Sequence, residues 1–397
     1  MQQSTDRILT THVGSLPRTA AVTELVFAKE HGKPCDAAVF ETTIAAAVRD
    51  VVRRQVAAGI DVVSDGELSK ISYATYIKDR ITGFEGDSPR RTPKDLEEFP
   101  EFAKAAAGSG GTPTYARPRC VSAIRVKNLA PLTSDLKNFA AAIAATPPAE
   151  GFMNAASPGV IALFQPNEFY SSHSDYLEAL SEAMRPEYEA IVAAGFVLQL
   201  DCPDLGLGRH MMFKDKTEAQ YVQLANEHVD VLNYALRNVP ADRVRMHICW
   251  GNYEGPHHCD APMDVVLPIA LRAKPQALLF ESCNPRHAHE WTVFRDSKLP
   301  DDKILVPGVI DSVTNFIEHP LLVAERIQRY ADIVGRERVI AGSDCGFSTF
   351  AGFGKVDANI VYAKLAALAE GARIASRRLW HRTADSQPMP SPGPLRE

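Results

Sequence analysis

Residues 244–250, VRMHICW, read as one short β-strand, and they carry His247 and Cys249 two positions apart. Side chains at i and i+2 of a strand point to the same side, so one imidazole and one thiol are presented together. The stretch runs on as GNYEGPHH to residue 258, a Gly- and Pro-containing loop. Two later apolar runs end in similar fashion. LLFES (278–282) delivers Glu281, and IAGSDCGF (340–347) delivers Cys345. A His, two Cys and a Glu converging at one mouth make a zinc site.

Working outward, seven further runs match this one, and amphipathic stretches separate them. They are ILTTHVGSL (8–16), IDVVSDGEL (60–68), FMNAASPGV (152–160), VLQLDCPDL (197–205), ALLFES (277–282), ILVPGVID (304–311) and RVIAGSDCGF (338–347). The Ala-rich pattern from Asp36 to Ala58 predicts a helix stopped by Gly59. Further helices are expected near 134–145, 173–194 and 215–237. Eight strands, each followed by a helix or an excursion, imply a parallel sheet closed as a (β/α)8 barrel. An open doubly wound sheet is the rival, but no Gly-rich phosphate fingerprint follows the first strand. Residues 70–130 break the rhythm with two Pro-containing segments and GSGG at 108–111, so they read as an insertion over the surface. CVSAIRVKN within it is expected to pair as a hairpin strand outside the main sheet. The barrel is assigned to residues 1–382. The Pro- and Ser-rich 383–397 is expected to be a disordered tail.

Bulk properties exclude several functions. Of 397 residues, 45 % are hydrophobic and 23 % charged, with a net charge of −6, so there is no electrostatic footprint for nucleic acid or an anionic membrane. No apolar run approaches the ~20 residues that span a bilayer. Seven scattered cysteines suit a reducing compartment better than a disulfide framework, and the chain is expected to be cytoplasmic. No heptad seam marks the surface helices, so the oligomeric state stays open.

In such a barrel, functional residues gather at the C-terminal ends of the strands. Those ends carry Ser15, Glu67, Asp201, His247, Cys249, Glu281, Asp311 and Cys345. Carboxylates buried there need a cation or a ligand. Each has a bland alternative, since a lone Cys is usually a small buried hydrophobe. Cys202 and Cys283 are read in that way. His257, His258 and Cys259 form a rival metal cluster, set aside as loop residues because ligands beside Gly255-Pro256 are hard to fix in place. Asp344 is set aside as an oxygen ligand because it neighbours Cys345 on a strand and points the other way.

These segments resemble the catalytic C-terminal half of the cobalamin-independent methionine synthase family. THVGSLPR (11–18) is similar to its opening strand and Gly-Ser turn, SDGEL (64–68) to its His-Gly-Glu strand end, and LQLDCPDL (198–205) to its Ile-Asp-Glu-Pro segment. HIC, FES and DCG resemble the segments holding its zinc ligands. The resemblance implies a TIM barrel, Zn2+ on His247, Cys249, Glu281 and Cys345, and contacts from Ser15, Glu67 and Asp201 to an amino acid substrate. It implies methyl transfer from a small-molecule donor to a small-molecule thiol, as in the folate–homocysteine reaction. Departures are also present. The family's seventh strand ends Tyr-Asp-Ile-His-Ser, with the His moving a proton to the leaving group. GVIDSVTNF keeps Asp311 and lacks that His. Asp311 is therefore the expected catalytic proton donor. A non-folate donor, or epoxyalkane:coenzyme M transferase-like thiol alkylation, is the alternative. Glu67 and Asp201 suit an ammonium-bearing thiol; a sulfonate thiol would want Arg209 or His210. A closed structural zinc site and a metal-free decarboxylase on a related barrel are the readings from other classes.

Overall fold

Strands of a parallel barrel are covered on both faces, which is why they read as unbroken apolar runs. The computed structural model describes residues 1–109 and 115–380. The expected tail at 383–397 lies outside the described residues, as do residues 110–114 of the insertion. The elements run β1 (Leu9–Thr10), α1 (Ala20–Glu30), α2 (Ala37–Ala57), β2 (Val62–Val63), β3 (Phe84–Glu85), α3 (Lys94–Glu97), α4 (Pro100–Ser109), β4 (Arg119–Cys120), α5 (Ala130–Ala145) and β5 (Glu150–Ala156). They continue α6 (Pro158–Phe164), α7 (His173–Ala193), β6 (Val197–Asp201), α8 (Glu218–Ala235), β7 (Val244–Ile248), α9 (Met263–Leu271), β8 (Ala277–Phe280), α10 (Trp291–Asp296), β9 (Ile304–Ile310), α11 (Pro320–Val334), β10 (Ile340–Ser343) and α12 (Ala358–Trp380).

Eight strands form one sheet in the order β1-β10-β9-β8-β7-β6-β5-β2, every pair parallel. Its two ends meet. Asp61 N donates to Thr10 O at 3.2 Å, and Thr11 Oγ1 donates to Val62 O at 2.9 Å. These bonds close an α/β barrel of the TIM type, as the strand count predicts.

Local chemistry explains the helices between strands. The Asp36 carboxylate caps α2 by accepting from Ala38 N and Val39 N. Ile44, Val48, Val51, Val52 and Gln55 then form its buried stripe, and Gly59 at φ 89° turns the chain into β2. α8 opens on a capping box between Thr217 and Gln220.

Residues 70–130 leave the barrel and return. β3 and β4 pair antiparallel, outside the main sheet. The excursion is fastened by a buried ion cluster. Arg80 lies 2.6 Å from Asp135 of α5 and 2.7 Å from Glu187 of α7, and Tyr76 donates to Glu187 at 2.6 Å. A second fastening joins α3 to the loop after β7. Asp95 accepts from Tyr253 Oη at 2.7 Å and from His257 N at 3.0 Å. The insertion therefore covers one side of the barrel mouth.

Candidate metal and substrate site

Parallel pairing brings the functional ends of four strands to one level. Register sets Asp201 of β6 against His247 of β7, and His247 against Leu279 of β8, two residues before Glu281. At β10 the register against β9 shifts between Gly342 and Ser343. Such a bulge re-aims the chain that follows. Close packing at Gly308, where a Cβ would collide with Asp344, lets the turn carrying Cys345 sit deep in the mouth.

His247, Cys249 and Cys345 converge, their ligand atoms all within 4.8 Å of one another. The Cys249 and Cys345 sulfurs are 3.3 Å apart, and Cys345 Sγ lies 3.8 Å from His247 Nε2. Glu281 stands at the edge of this set, with Oε1 3.5 Å from Cys345 Sγ. A tetrahedral ion with bonds of ~2.0–2.3 Å has ligand–ligand edges of ~3.3–3.8 Å, so these separations fit one metal ion. The donor chemistry agrees. All seven cysteines are free thiols, and these two are buried together without forming a disulfide. Their mutual hydrogen bond pulls the Cys249 thiol down, but burial and Glu281 outweigh it and push it up. The same hydrogen bond, burial and Glu281 hold Cys345 well above the usual thiol range. Both shifts favour the thiol over the thiolate. A divalent ion is the natural group to ionise them.

Surrounding groups orient each ligand. His247 Nδ1 faces Asp201 at 3.6 Å, leaving Nε2 toward the sulfurs. Glu281 is held at both oxygens, by Trp250 N on Oε1 and Asn284 Nδ2 on Oε2, each at 2.8 Å. Gly251 N donates to Cys249 Sγ at 3.3 Å. Such outer contacts fix ring orientation and tune donor strength. Asp344 is turned away from the sulfurs, as its position beside Cys345 implies. Its carboxylate accepts from Ser282 N, Cys283 N and Asn284 N, so it builds the 281–284 turn. Burial and Glu281 raise it to about 7. Cys283 donates to Asp344 at 3.1 Å, and Cys202 is buried.

A cavity of about 400 Å³ opens above the sulfurs. Ser15, Glu67, Asp201, His247, Cys249 and Cys345 line it, each at most 9 % exposed. Aromatic walls come from Tyr73, Phe164, Phe350 and Phe353, and Arg90, Arg91, Arg117 and Lys355 add positive charge. Glu67 adopts φ 57°, a left-handed conformation rare for a side-chain-bearing residue and often found at functional sites. Burial, with Asp201 adding to it and Lys70 and Arg18 opposing, raises Glu67 to about 8.

Asp311 is not among the residues lining this cavity. Its carboxylate instead accepts from Val313 N, Thr314 N and Thr314 Oγ1, so the expected proton donor is a turn-builder in this structure. Arg209 and His210 also miss the cavity. His210 sits between Asp95 and Asp260, 3.5 and 3.1 Å away, and Arg209 bonds Phe213 O. Three of the four cations that line it, Arg90, Arg91 and Arg117, come from the insertion, which strand-end reasoning could not reach.

One layer below the mouth lies a chain of polar groups missed at the sequence level. Arg245 Nε donates to Gln199 Oε1 at 2.7 Å, and Gln199 Nε2 donates to Asp201 Oδ1 at 3.1 Å. Asn154 Nδ2 also donates to Asp201, at 3.1 Å. Gln199 and Arg245 stand two residues before Asp201 and His247 on their strands. The period of two that paired His247 with Cys249 would have marked them as facing inward.

Comparisons with known proteins point one way. The family model described as "Cobalamin-independent synthase, Catalytic domain" matches residues 8–89. The methionine synthase of Saccharolobus solfataricus is 26 % identical over 376 residues, covering 93 % of this chain and 95 % of that protein. That of Sulfurisphaera tokodaii is 24 % identical over 372 residues, covering 93 % of each. Among solved structures, a B12-independent methionine synthase from Shewanella sp. W3-18-1, in complex with selenomethionine, superposes with a TM-score of 0.67 at 18 % identity. It covers 94 % of this chain and 99 % of its own. A second, from Listeria monocytogenes and titled a putative enzyme of this kind, gives 0.62 at 17 %, covering 93 % and 98 %. Among the described residues, no helix is long and apolar enough to cross a membrane.

Proposed function

We propose, from a likeness to methionine synthases over nearly the whole chain and to the cobalamin-independent catalytic-domain model over residues 8–89, that the protein transfers a methyl group to the thiol of homocysteine, using zinc. The barrel assigned to residues 1–382, with its insertion at about 70–130, is the unit that carries this chemistry. His247, Cys249, Glu281 and Cys345 hold the ion. One observation carries the reading: two free thiols and an imidazole packed within 4.8 Å of one another, beneath a cavity lined by buried carboxylates. Bound zinc keeps an incoming thiol in its thiolate form.

The chain's own residues do the rest. Glu67 and Asp201 present two carboxylates to the cavity and take the substrate ammonium. Ser15, pressed against Gly346, contacts the same amino acid. The donor lies along the aromatic wall, where Tyr73, Phe164 and Phe350 exclude water. A free thiol of pKa ~8.5 is ~3 % ionised at pH 7, so complete ionisation supplies at most ~30-fold, about 2 kcal/mol. Holding sulfur and methyl carbon in line supplies more. Asp311, the candidate proton donor, does not line this cavity, and its carboxylate accepts from Val313 N and Thr314 N.

A product assay tests the reading. Zinc-loaded protein is offered homocysteine or coenzyme M as acceptor, against a methylated folate and an epoxide as donors. Methionine formation supports the proposal. Coenzyme M alkylation with no methionine formed would replace it with epoxyalkane:coenzyme M transferase-like thiol alkylation.

A further inference from the structure

The His257-His258-Cys259 run is resolved by the fold into two unlike parts. His257, at φ 53°, turns inward, its Nδ1 3.0 Å from Asp260 Oδ2 and its Nε2 2.8 Å from Tyr253 O. His258 and Cys259 turn outward and meet Glu98, which follows α3 in the insertion. His258 Nε2 is 2.7 Å from Glu98 Oε2, and Cys259 Sγ is 3.8 Å from Glu98 Oε1. The ligand atoms of the three lie within 4.8 Å of one another. We infer that Glu98, His258 and Cys259 form a second, solvent-facing site for a divalent transition metal of the zinc or cobalt class, at the rim of the barrel mouth.

Donor type and rigidity both support it. Nitrogen, sulfur and oxygen together suit a borderline ion such as Zn2+ or Co2+ over Mg2+ or Ca2+, which prefer oxygen alone. Flexible ligands beside Gly255-Pro256 would bind poorly, yet these are anchored on both sides. Asp260, next in the chain, is gripped by His210, His257 and His287 at 3.0–3.1 Å. Glu98 is three residues from Asp95, which is tied to Tyr253 Oη and His257 N. Binding releases the Cys259 proton to solvent and leaves the remaining coordination positions to water. Two exposed ligands and a half-buried one make this site weaker than the buried one. Once occupied, it joins the segments that bring Leu96 and Tyr253 to the cavity lining.

The test is a Co2+ titration of the full chain already loaded with one equivalent of zinc, read by absorbance of the cobalt–thiolate band. A second equivalent is expected, its band lost in both Cys259→Ser and His258→Ala. Glu98→Gln should weaken it by roughly tenfold. Cys35→Ser, which removes another surface thiol, should leave it intact. The first equivalent of zinc should survive in all four, as metal analysis will show. Wild-type protein that takes up no second equivalent overturns the site. So does a band that depends on Cys259 but not on His258, which is a lone thiol binding cobalt, or a band that survives every substitution.

Discussion

Asp201→Asn separates the work of a carboxylate in folding from the work proposed for it on the metal. Asp201 Oδ1 accepts from Gln199 Nε2 and Oδ2 from Asn154 Nδ2, both at 3.1 Å, while Oδ1 faces His247 Nδ1 at 3.6 Å. An amide in its place must turn its NH2 toward one of these donors. A buried donor deprived of its acceptor costs ~1–3 kcal/mol. Gln199 and Asn154 each keep a second acceptor in Val13 O, so the cost falls at the low end, about 1–2 kcal/mol. That corresponds to a melting temperature lower by a few degrees. Loss of the carboxylate behind a ligating imidazole typically lowers metal affinity ~10–100-fold, or ~1.4–2.8 kcal/mol. Metal binding should thus suffer at least as much as folding. Zinc competition against a chromogenic chelator measures the first, and thermal melting of the metal-free protein measures the second. Unchanged zinc affinity in a variant that melts a few degrees lower would refute the orienting role of Asp201.

Cys249→Ser should lower zinc affinity by at least ~100-fold and abolish methyl transfer, while circular dichroism shows the barrel intact; activity retained without zinc would remove the proposed chemistry. Glu67, held at about 8, is protonated at pH 7. A bound ammonium favours its ionised form, so methionine, which has no thiol proton of its own, should release up to one proton on binding near pH 7. That release fades above pH 8, where Glu67 is already ionised, and it vanishes in Glu67→Gln. Calorimetry in buffers of different ionisation enthalpy reads it directly. Arg80→Met strips Asp135 and Glu187 of their buried partner and should cost ~3–5 kcal/mol in urea unfolding. A loss under 1 kcal/mol would mean that the insertion is not fastened there.

Much of this molecule is local, and the local part is legible in the chain. An apolar run buried on both faces announces a strand of a parallel sheet, and Asp36 and Gly59 announce the two ends of α2. A side-chain period of two puts His247 and Cys249 on one side whatever surrounds them. Eight such strands leave few topologies. By contrast, the meeting of Cys345 with that pair depends on register around the closed barrel and on the shift after Gly342, neither of which a linear pattern records. Asp311 shows the same limit from the other side. Its strand end was read, but the turn at Val313 and Thr314 consumes its oxygens. The insertion supplies the cavity's Arg90, Arg91 and Arg117, and also Glu98, from far along the chain, because tertiary docking through Arg80 and Asp95 brings it over the mouth. Sequence alone determined the eight strands, helices such as α2, α7 and α8, and the chemistry at each strand end; it did not mark α1, and it ran the third strand on into what is α6. Tertiary structure decided which of those groups touch, since contact depends on distances through space that the order of residues does not encode.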